Sequence, residues 1–376
     1  MRLAFCLYKY FPFGGLQRDF LRIAQECHQR GHSIRVYTLS WQGEKPDFMD
    51  VKIVPVTAIQ NHILYQRFSA WVENDLKSNP VDAVIGFNKM PNLDVYYAAD
   101  PCYAAKANNL RLWWYKFTTR YRHFFSYEKS VFDQQSKTHV LMISNVQKPL
   151  FQQFYRTPEN RLHFLPPGIA RDRIAPPNAP DIREQFRREF NIGDDEYLLL
   201  SVGSGFKTKG VDRSLIAIAA LPEAIRDKIK FMVIGQDNPA PFHKLIKKLS
   251  LEKQVTILSG RDDIPRFLLA ADLLLHPAYS ESAGMILLEA LVAGLPVLVT
   301  DVCGYAHYIS EAQAGDIAVS PFDQIQFTKQ LQLAIENKTQ RQQWQYNALT
   351  FSKTADIFSM PEKAADVIEE VVAHRG

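Results

Sequence analysis

His276-Pro-Ala-Tyr-Ser-Glu281-Ser-Ala-Gly284-Met-Ile-Leu-Leu-Glu289-Ala-Leu-Val-Ala-Gly294-Leu-Pro296-Val-Leu-Val299 decides how this sequence is read. Apolar residues run from Leu273 to His276 and again from Val297 to Thr300, the length of buried strands. A polar loop follows His276, a helix is expected to start near Ser282 to Gly284, and Gly294 followed by Pro296 closes it. Strand, loop, helix and strand make one unit of a parallel α/β sheet.

The same rhythm extends outward in both directions. Short apolar runs mark strands at Leu3 to Tyr8, Ile34 to Thr38, Ile53 to Val56, Ala83 to Gly86, Tyr96 to Ala99 and Val140 to Ser144. A second set lies at Tyr197 to Val202, Lys230 to Ile234 and Val255 to Leu258, with the two runs above. Each half therefore reads as a parallel sheet wrapped by helices, and 376 residues suit two domains. Residues 166–180, PPGIARDRIAPPNAP, hold five of the 21 prolines and are expected to be a stiff hinge between domains 1–165 and 181–358; a surface loop is the alternative. The terminal segment 359–376, helical in pattern after Pro361, is expected to pack back on the first domain and to clamp the two together.

Composition narrows the class. The chain is 47% hydrophobic and 22% charged, with net charge +4, as in a globular protein. Four scattered cysteines without C-x-x-C support neither a disulfide framework nor a zinc ribbon and fit a reducing cytoplasm. No apolar run is long enough to span a membrane, and Lys9 halts the first one too early for a secretory signal. The charge is uneven: residues 1–168 carry 21 Lys and Arg against 13 acids, the remainder 23 against 27. The first half should meet something acidic.

Glu289 falls about one and a half turns into the expected helix among Ile286, Leu287, Leu288 and Leu291, where an ionised carboxylate needs hydrogen-bond donors. A vicinal diol supplies two. Glu281 lies in the loop beyond the strand, where parallel sheets bind ligands. Between them the free N–H groups near Ala283, Gly284, Met285 and Ile286 attract phosphate. One stretch thus suits a nucleotide ribose, a diphosphate and a sugar hydroxyl. A Glu289 that pairs locally and a solvated Glu281 remain the alternative.

E-x7-E followed by Ala-Leu-Val-Ala-Gly-Leu-Pro-Val resembles the donor-site motif of retaining glycosyltransferases of family 4, which have the GT-B fold: two Rossmann-like parallel-sheet domains facing a cleft. Lys9-Tyr-Phe-Pro-Phe-Gly14-Gly15-Leu-Gln-Arg-Asp19-Phe20, Gly86-Phe-Asn-Lys-Met-Pro91 and Cys303-Gly-Tyr-Ala-His307-Tyr308 resemble, more narrowly, the bacterial lipopolysaccharide core glucosyltransferases. The resemblance runs through nearly the whole chain. It implies a hexosyltransferase that moves glucose from UDP-glucose to an inner-core heptose. It places Glu281 on hydroxyls of the transferred sugar, Glu289 on the ribose, Gly15 against the donor phosphate or sugar, and Asp19 near the acceptor. Asp100 becomes a candidate for the sugar's outer hydroxyls, and an ordinary surface aspartate is equally compatible.

Gly14-Gly15 also suits a plain tight turn. The loop Gly203-Ser-Gly-Phe-Lys207-Thr-Lys209-Gly210 meets neither the dinucleotide nor the Walker pattern, yet a lysine over a glycine-rich loop suits a diphosphate. The family often has a cation where Thr208 stands, leaving Lys207 and Lys209 to supply charge. Arg173 and Arg261 match positions where the family contacts phosphate and nucleobase; solvated surface arginines are the alternative. No D-x-D and no ligand-spaced His, Cys or Asp cluster occurs, so no metal and no cofactor beyond the UDP-sugar co-substrate is expected. His276 and His307 read as structural rather than catalytic.

Residues 103–132 combine six Lys and Arg, one acid and ten aromatics. Such a mixture suits the surface of an anionic bilayer, single-stranded nucleic acid, or a helix packed on its own domain. A lipid-anchored acceptor favours the bilayer, with Trp113, Trp114, Lys116, Arg120 and Arg122 as contacts, and nucleic acid is not expected as a partner. The protein is then expected in the cytoplasm, peripheral on the inner face of the inner membrane. A UDP-sugar epimerase, the same transferase acting on UDP-galactose or a UDP-N-acetylhexosamine, and a non-enzymatic membrane scaffold are the rival readings.

Overall fold

The computed structural model describes residues 1–12, 14–110 and 113–374. Phe13 of the first motif, Arg111 and Leu112 of segment 103–132, and the final two residues of segment 359–376 lie outside the described residues. The chain divides into two units: Met1–Gly168 joined by the segment from Phe358 onward, and Ile169–Ile357.

In the first unit the strands are β1 Arg2–Cys6, β2 Lys9–Tyr10, β3 Ser33–Thr38, β4 Ser40–Trp41, β5 Met49–Ile53, β6 Ala83–Gly86, β7 Val95–Ala98, β8 His139–Met142 and β9 Leu162–Phe164. Seven of them form a sheet in the order β5-β3-β1-β6-β7-β8-β9, while β2 and β4 pair apart from it. Every pairing is parallel. The central strands read as unbroken apolar runs because helices cover both faces. Strand order reverses beside β1, so the loop after β1, carrying Gly14 and Gly15, leaves at the switch point where such sheets take ligands.

The second unit repeats the plan with β10 Tyr197–Val202, β11 Ile229–Ile234, β12 Val255–Leu258, β13 Leu273–His276, β14 Val297–Thr300 and β15 Gly315–Ala318. Their order is β12-β11-β10-β13-β14-β15, all parallel. The switch point lies between β10 and β13, which run side by side in the register Leu199 to Leu273.

The structure corrects one expected strand and adds elements the sequence reading lacked. The strand expected at Ile53 to Val56 is instead Met49–Ile53; Pro55 lacks the N–H a ladder needs, and the pairing ends before it. Edge strands β9 and β15 give no long apolar run, Gly315-Asp-Ile-Ala318 least of all, and escape detection. Residues 166–180, expected as a stiff hinge, carry local structure of their own. The division between units falls after Gly168, Arg171–Arg173 forms a 3-10 turn, the Ala175 N–H donates to the Val292 carbonyl, and a helix begins at Ala179. Pro180 sits in that helix's first turn, where its missing N–H is harmless.

Helix Met360–Ala373 belongs to the first unit and packs along helix Gly15–Gln29. Arg30 pins it, donating to Asp366 at 2.8 Å and Glu369 at 3.1 Å, and His32 Nε2 lies 2.7 Å from Glu369.

Candidate active site

In the second unit the loops leaving β10 and β13 are stitched together. The Tyr279 N–H donates to the Thr208 carbonyl at 2.8 Å. Arg213 donates to the carbonyls of Pro277 and Ala278 at 3.0 and 2.8 Å and lies between the rings of Tyr279 and Phe322. Gly210 is what lets the loops touch: its φ is +76°, and a β-carbon there would stand 1.9 Å from the Pro277 oxygen. This close approach sets Lys209 Nζ against Glu281 Oε2 in an ion pair. Burial pushes the Lys209 pKa below the usual lysine range, opposed by the charge of Cys303.

The Glu281 backbone is held as well. Its carbonyl accepts from the Gly304 N–H at 3.2 Å, and that of Ala283 accepts from the Tyr305 N–H at 2.8 Å. Gly284, at φ +93°, is the N-cap of helix Met285–Ala293. No side chain caps that end and its first turn carries no acid, so the N–H groups of Met285 and Ile286 begin the helix beside the Lys209–Glu281 pair. Leu287 through Ala293, Glu289 included, are buried. Ammonium, carboxylate and helix N-terminus thus converge at the switch point, an arrangement that binds an anion next to a hydroxyl-bearing group.

The other residues expected to contact the donor are paired with side chains of their own surroundings. Lys207 pairs with Asp212 at 2.6 Å and donates to the Tyr279 hydroxyl at 3.0 Å. Arg261, in the loop after β12, holds Asp263 with two bonds of 2.6 and 2.8 Å, which raises the arginine pKa and lowers that of the aspartate. Arg173, in the 3-10 turn packed on helix Met285–Ala293, has its Nε 3.8 Å from Asp172.

In the first unit Gly14 caps helix Gly15–Gln29 and Gly15 opens it. Among the described residues, nothing lies within 4 Å of a β-carbon placed on Gly15. Chain packing therefore does not require a glycine at Gly15. Asp19, one turn on, accepts from the Tyr97 hydroxyl at 2.8 Å. Burial raises its pKa to about 6, opposed by that hydrogen bond and by Arg18 and Arg22. Asp100 is exposed, two residues past the end of β7.

Residues 182–351 match the family described as Glycosyl transferases group 1. The chain is 49% identical over 368 residues to the lipopolysaccharide glucosyltransferase WaaG of Escherichia coli strain K12, covering 98% of each. The crystal structure of WaaG, described as a glycosyltransferase involved in lipopolysaccharide biosynthesis, superposes with a TM-score of 0.91 at 48% identity, covering 97% of this chain and 99% of that one. The chain belongs to the lipopolysaccharide glucosyltransferase family of group 1 glycosyl transferases. The fold is GT-B, and the protein is a glycosyltransferase of lipopolysaccharide core synthesis. Anabaena HepE, solved with UDP-glucose, shares the fold with a TM-score of 0.75 at 16% identity, covering 98% of this chain and 100% of that one.

In this glycosyltransferase the basic aromatic segment divides in two. Trp113, Trp114 and Phe117, on a 3-10 turn, are 76, 51 and 65% exposed. Lys116 donates to Asn108, and Arg120 lies over the Phe124 ring. Arg120 and Arg122 are exposed on helix Thr119–Phe132, whose other face buries His123, Glu128, Val131 and Phe132. Sequence reasoning missed Glu128, the segment's one acid. Fully buried, it accepts from Lys89, the Tyr155 hydroxyl and the N–H groups of Tyr103 and Ala104 that begin the preceding helix. A lone acid in a basic aromatic stretch is the signal that could have found it. His307 Nδ1 meets the Gly304 carbonyl, steadying the loop that holds Glu281. No helix among the described residues is long and apolar enough to cross a membrane.

Proposed function

We propose that the enzyme transfers a hexosyl group, glucose in the first instance, from a UDP-sugar to a heptose of the lipopolysaccharide inner core, with retention and without a metal ion. The observation that carries this reading is the Lys209–Glu281 pair beside the uncapped start of helix Met285–Ala293. The diphosphate would take the place of Glu281 as the partner of Lys209, with the N–H groups of Ala283 to Ile286 sharing its charge. Arg173 and Arg261 would serve the phosphate and base edges, and Glu289 the ribose. Released from Lys209, Glu281 would accept from hydroxyls of the transferred sugar and stabilise positive charge as the anomeric carbon loses its leaving group.

In the same-face form, the bond from the anomeric carbon to the phosphate oxygen breaks, its electrons leaving with UDP. The heptose hydroxyl oxygen bonds to that carbon from the same side, and its proton passes to the departing phosphate. The acceptor would be held by the first unit, with Gly15, Asp19 and Asp100 serving sugar and acceptor. Trp113, Trp114, Lys116, Arg120 and Arg122 would rest on the anionic cytoplasmic face of the inner membrane.

The test is to incubate the protein with labelled UDP-sugars, with and without truncated lipopolysaccharide. Label moving from UDP-glucose to lipopolysaccharide supports the reading. An isomerised nucleotide sugar formed without acceptor indicates an epimerase, and no nucleotide binding a scaffold; either result overturns it. Glu281→Ala should abolish transfer while UDP still binds, and near-normal transfer in that variant removes Glu281 from its assigned role.

A further inference from the structure

His276 is the last residue of β13, with no exposed surface, and neither ring nitrogen has a hydrogen-bond partner among the described residues. A neutral imidazole brings one N–H donor and one acceptor into the interior, and a buried donor left empty costs about 1–3 kcal/mol. Burial and the charge of Lys209 hold the ring neutral, with its pKa pushed down to about 3. The backbone cannot readily carry the ring elsewhere, because His276 is paired with Val299 of β14 and its carbonyl accepts from the Ala278 N–H.

Glu281 Oε2 lies 3.6 Å from His276 Nε2. That oxygen is already taken by Lys209. Two complementary needs therefore face each other across a gap that closes with a carboxylate shift of about 0.5 Å. A diphosphate that draws Lys209 away leaves Oε2 without its donor at the place where His276 offers one. An apolar residue of similar size at this position would leave no buried polar group empty; the imidazole has a use only if the acceptor becomes free.

We propose that His276 is a positioning residue for Glu281, its Nε2–H donating to Oε2 once Lys209 has turned to the donor's diphosphate. This rests on the UDP-sugar reading of the site. The Lys209–Glu281 ion pair is then the resting arrangement, and the His276–Glu281 hydrogen bond the working one, fixing the carboxylate against the transferred sugar.

Two measurements test it on the full chain. The first compares His276→Leu with His276→Gln, whose amide N–H has a comparable reach. His276→Leu should lower kcat about 10–100-fold, the effect of a reacting group misplaced by a fraction of an ångström, with UDP affinity unchanged and the melting temperature of the unliganded protein equal or higher. His276→Gln should restore most of the turnover. The second follows ring N–H resonances of 15N-histidine-labelled protein, assigned by loss in His276→Gln. Adding UDP should move the His276 N–H proton downfield in the wild type but not in Glu281→Ala. Full turnover in His276→Leu, or a resonance that ignores UDP or shifts equally in Glu281→Ala, overturns the proposal and leaves the transferase reading intact. Failure of UDP to bind overturns that reading and this inference with it.

Discussion

Replacing Gly210 by alanine should collapse the geometry that joins the two loops of the second unit. The added β-carbon would stand 1.9 Å from the Pro277 oxygen and 2.6 Å from its carbonyl carbon, and the backbone has a φ of +76°. A left-handed conformation costs a non-glycine residue about 1–2 kcal/mol. Relieving the clash means parting the loops by about 1.5 Å, the difference between that approach and an ordinary contact of 3.4 Å. The parting strains the Tyr279 to Thr208 bond of 2.8 Å and the Arg213 bond to Pro277 of 3.0 Å. Overpacking of this kind costs about 1–3 kcal/mol. Together these give roughly 2–5 kcal/mol, a fall in melting temperature of about 5–15 °C for a unit of this size. Differential scanning calorimetry measures it, and a UDP titration of the same sample should show weakened binding because Lys209 is displaced. Gly15→Ala is the contrasting control. With none of the described residues within 4 Å of the new methyl group and an ordinary helical start, stability should stay within about 0.5 kcal/mol while kcat/KM falls at least about 10-fold. A Gly210→Ala protein melting within about 1 °C of the wild type would refute the close-approach argument. Unchanged turnover in Gly15→Ala would remove that glycine from the donor site.

Exchanging Trp113 and Trp114 for Ser and Lys116, Arg120 and Arg122 for Gln should weaken sedimentation with vesicles containing anionic lipid while UDP affinity stays the same; unchanged sedimentation would end the membrane assignment. Glu128→Leu should destabilise the first unit by about 3–5 kcal/mol in urea titrations, because it strands the half-buried Lys89 ammonium, the Tyr155 hydroxyl and two helix-starting N–H groups; a near-neutral effect would mean that this network is replaceable. Asp19 has a folded pKa of about 6 against a usual 3.8, so the folded state binds the extra proton and wild-type stability falls as pH rises from about 4 to 6. Asp19→Asn should therefore match the wild type near pH 4 and melt higher above pH 6, and a stabilisation that is independent of pH across this window would show that the carboxylate is not the source.

The two sheets were legible because parallel strands covered on both faces must be apolar along their whole length. Ala83–Gly86, Tyr197–Val202, Leu273–His276 and Val297–Thr300 match the apolar runs at both ends. Edge strands escape this rule, since one flank lacks a neighbour and polar residues are tolerated. Met49-Asp-Val-Lys-Ile53 alternates, and Gly315-Asp-Ile-Ala318 shows almost no pattern. Glycine and proline spacing was sufficient to bound helix Met285–Ala293, because its end signals act within a few residues of one another.

The site divides along the same line between local and distant. E-x7-E was readable because both carboxylates lie on one loop and the helix that follows. The Arg261–Asp263 pair is two residues apart and was equally local, although an arginine on a ligand and a solvated arginine were the two readings given for it. What no local pattern contains is the pairing of Lys209 with Glu281, 72 residues apart in the chain, or the empty nitrogens of His276. Both depend on β10 and β13 being neighbours although β11 and β12 separate them in sequence. That reversal of strand order brings together loops that sequence keeps apart, and the two glycines show how unequal the consequences are. Gly210 is glycine because the neighbouring loop occupies the space a side chain would need, whereas a β-carbon on Gly15 would meet none of the described residues within 4 Å. His276, whose ring nitrogens find no hydrogen-bond partner among the described residues, makes the same point from the other side: under the proposed function, both positions would answer to a bound donor.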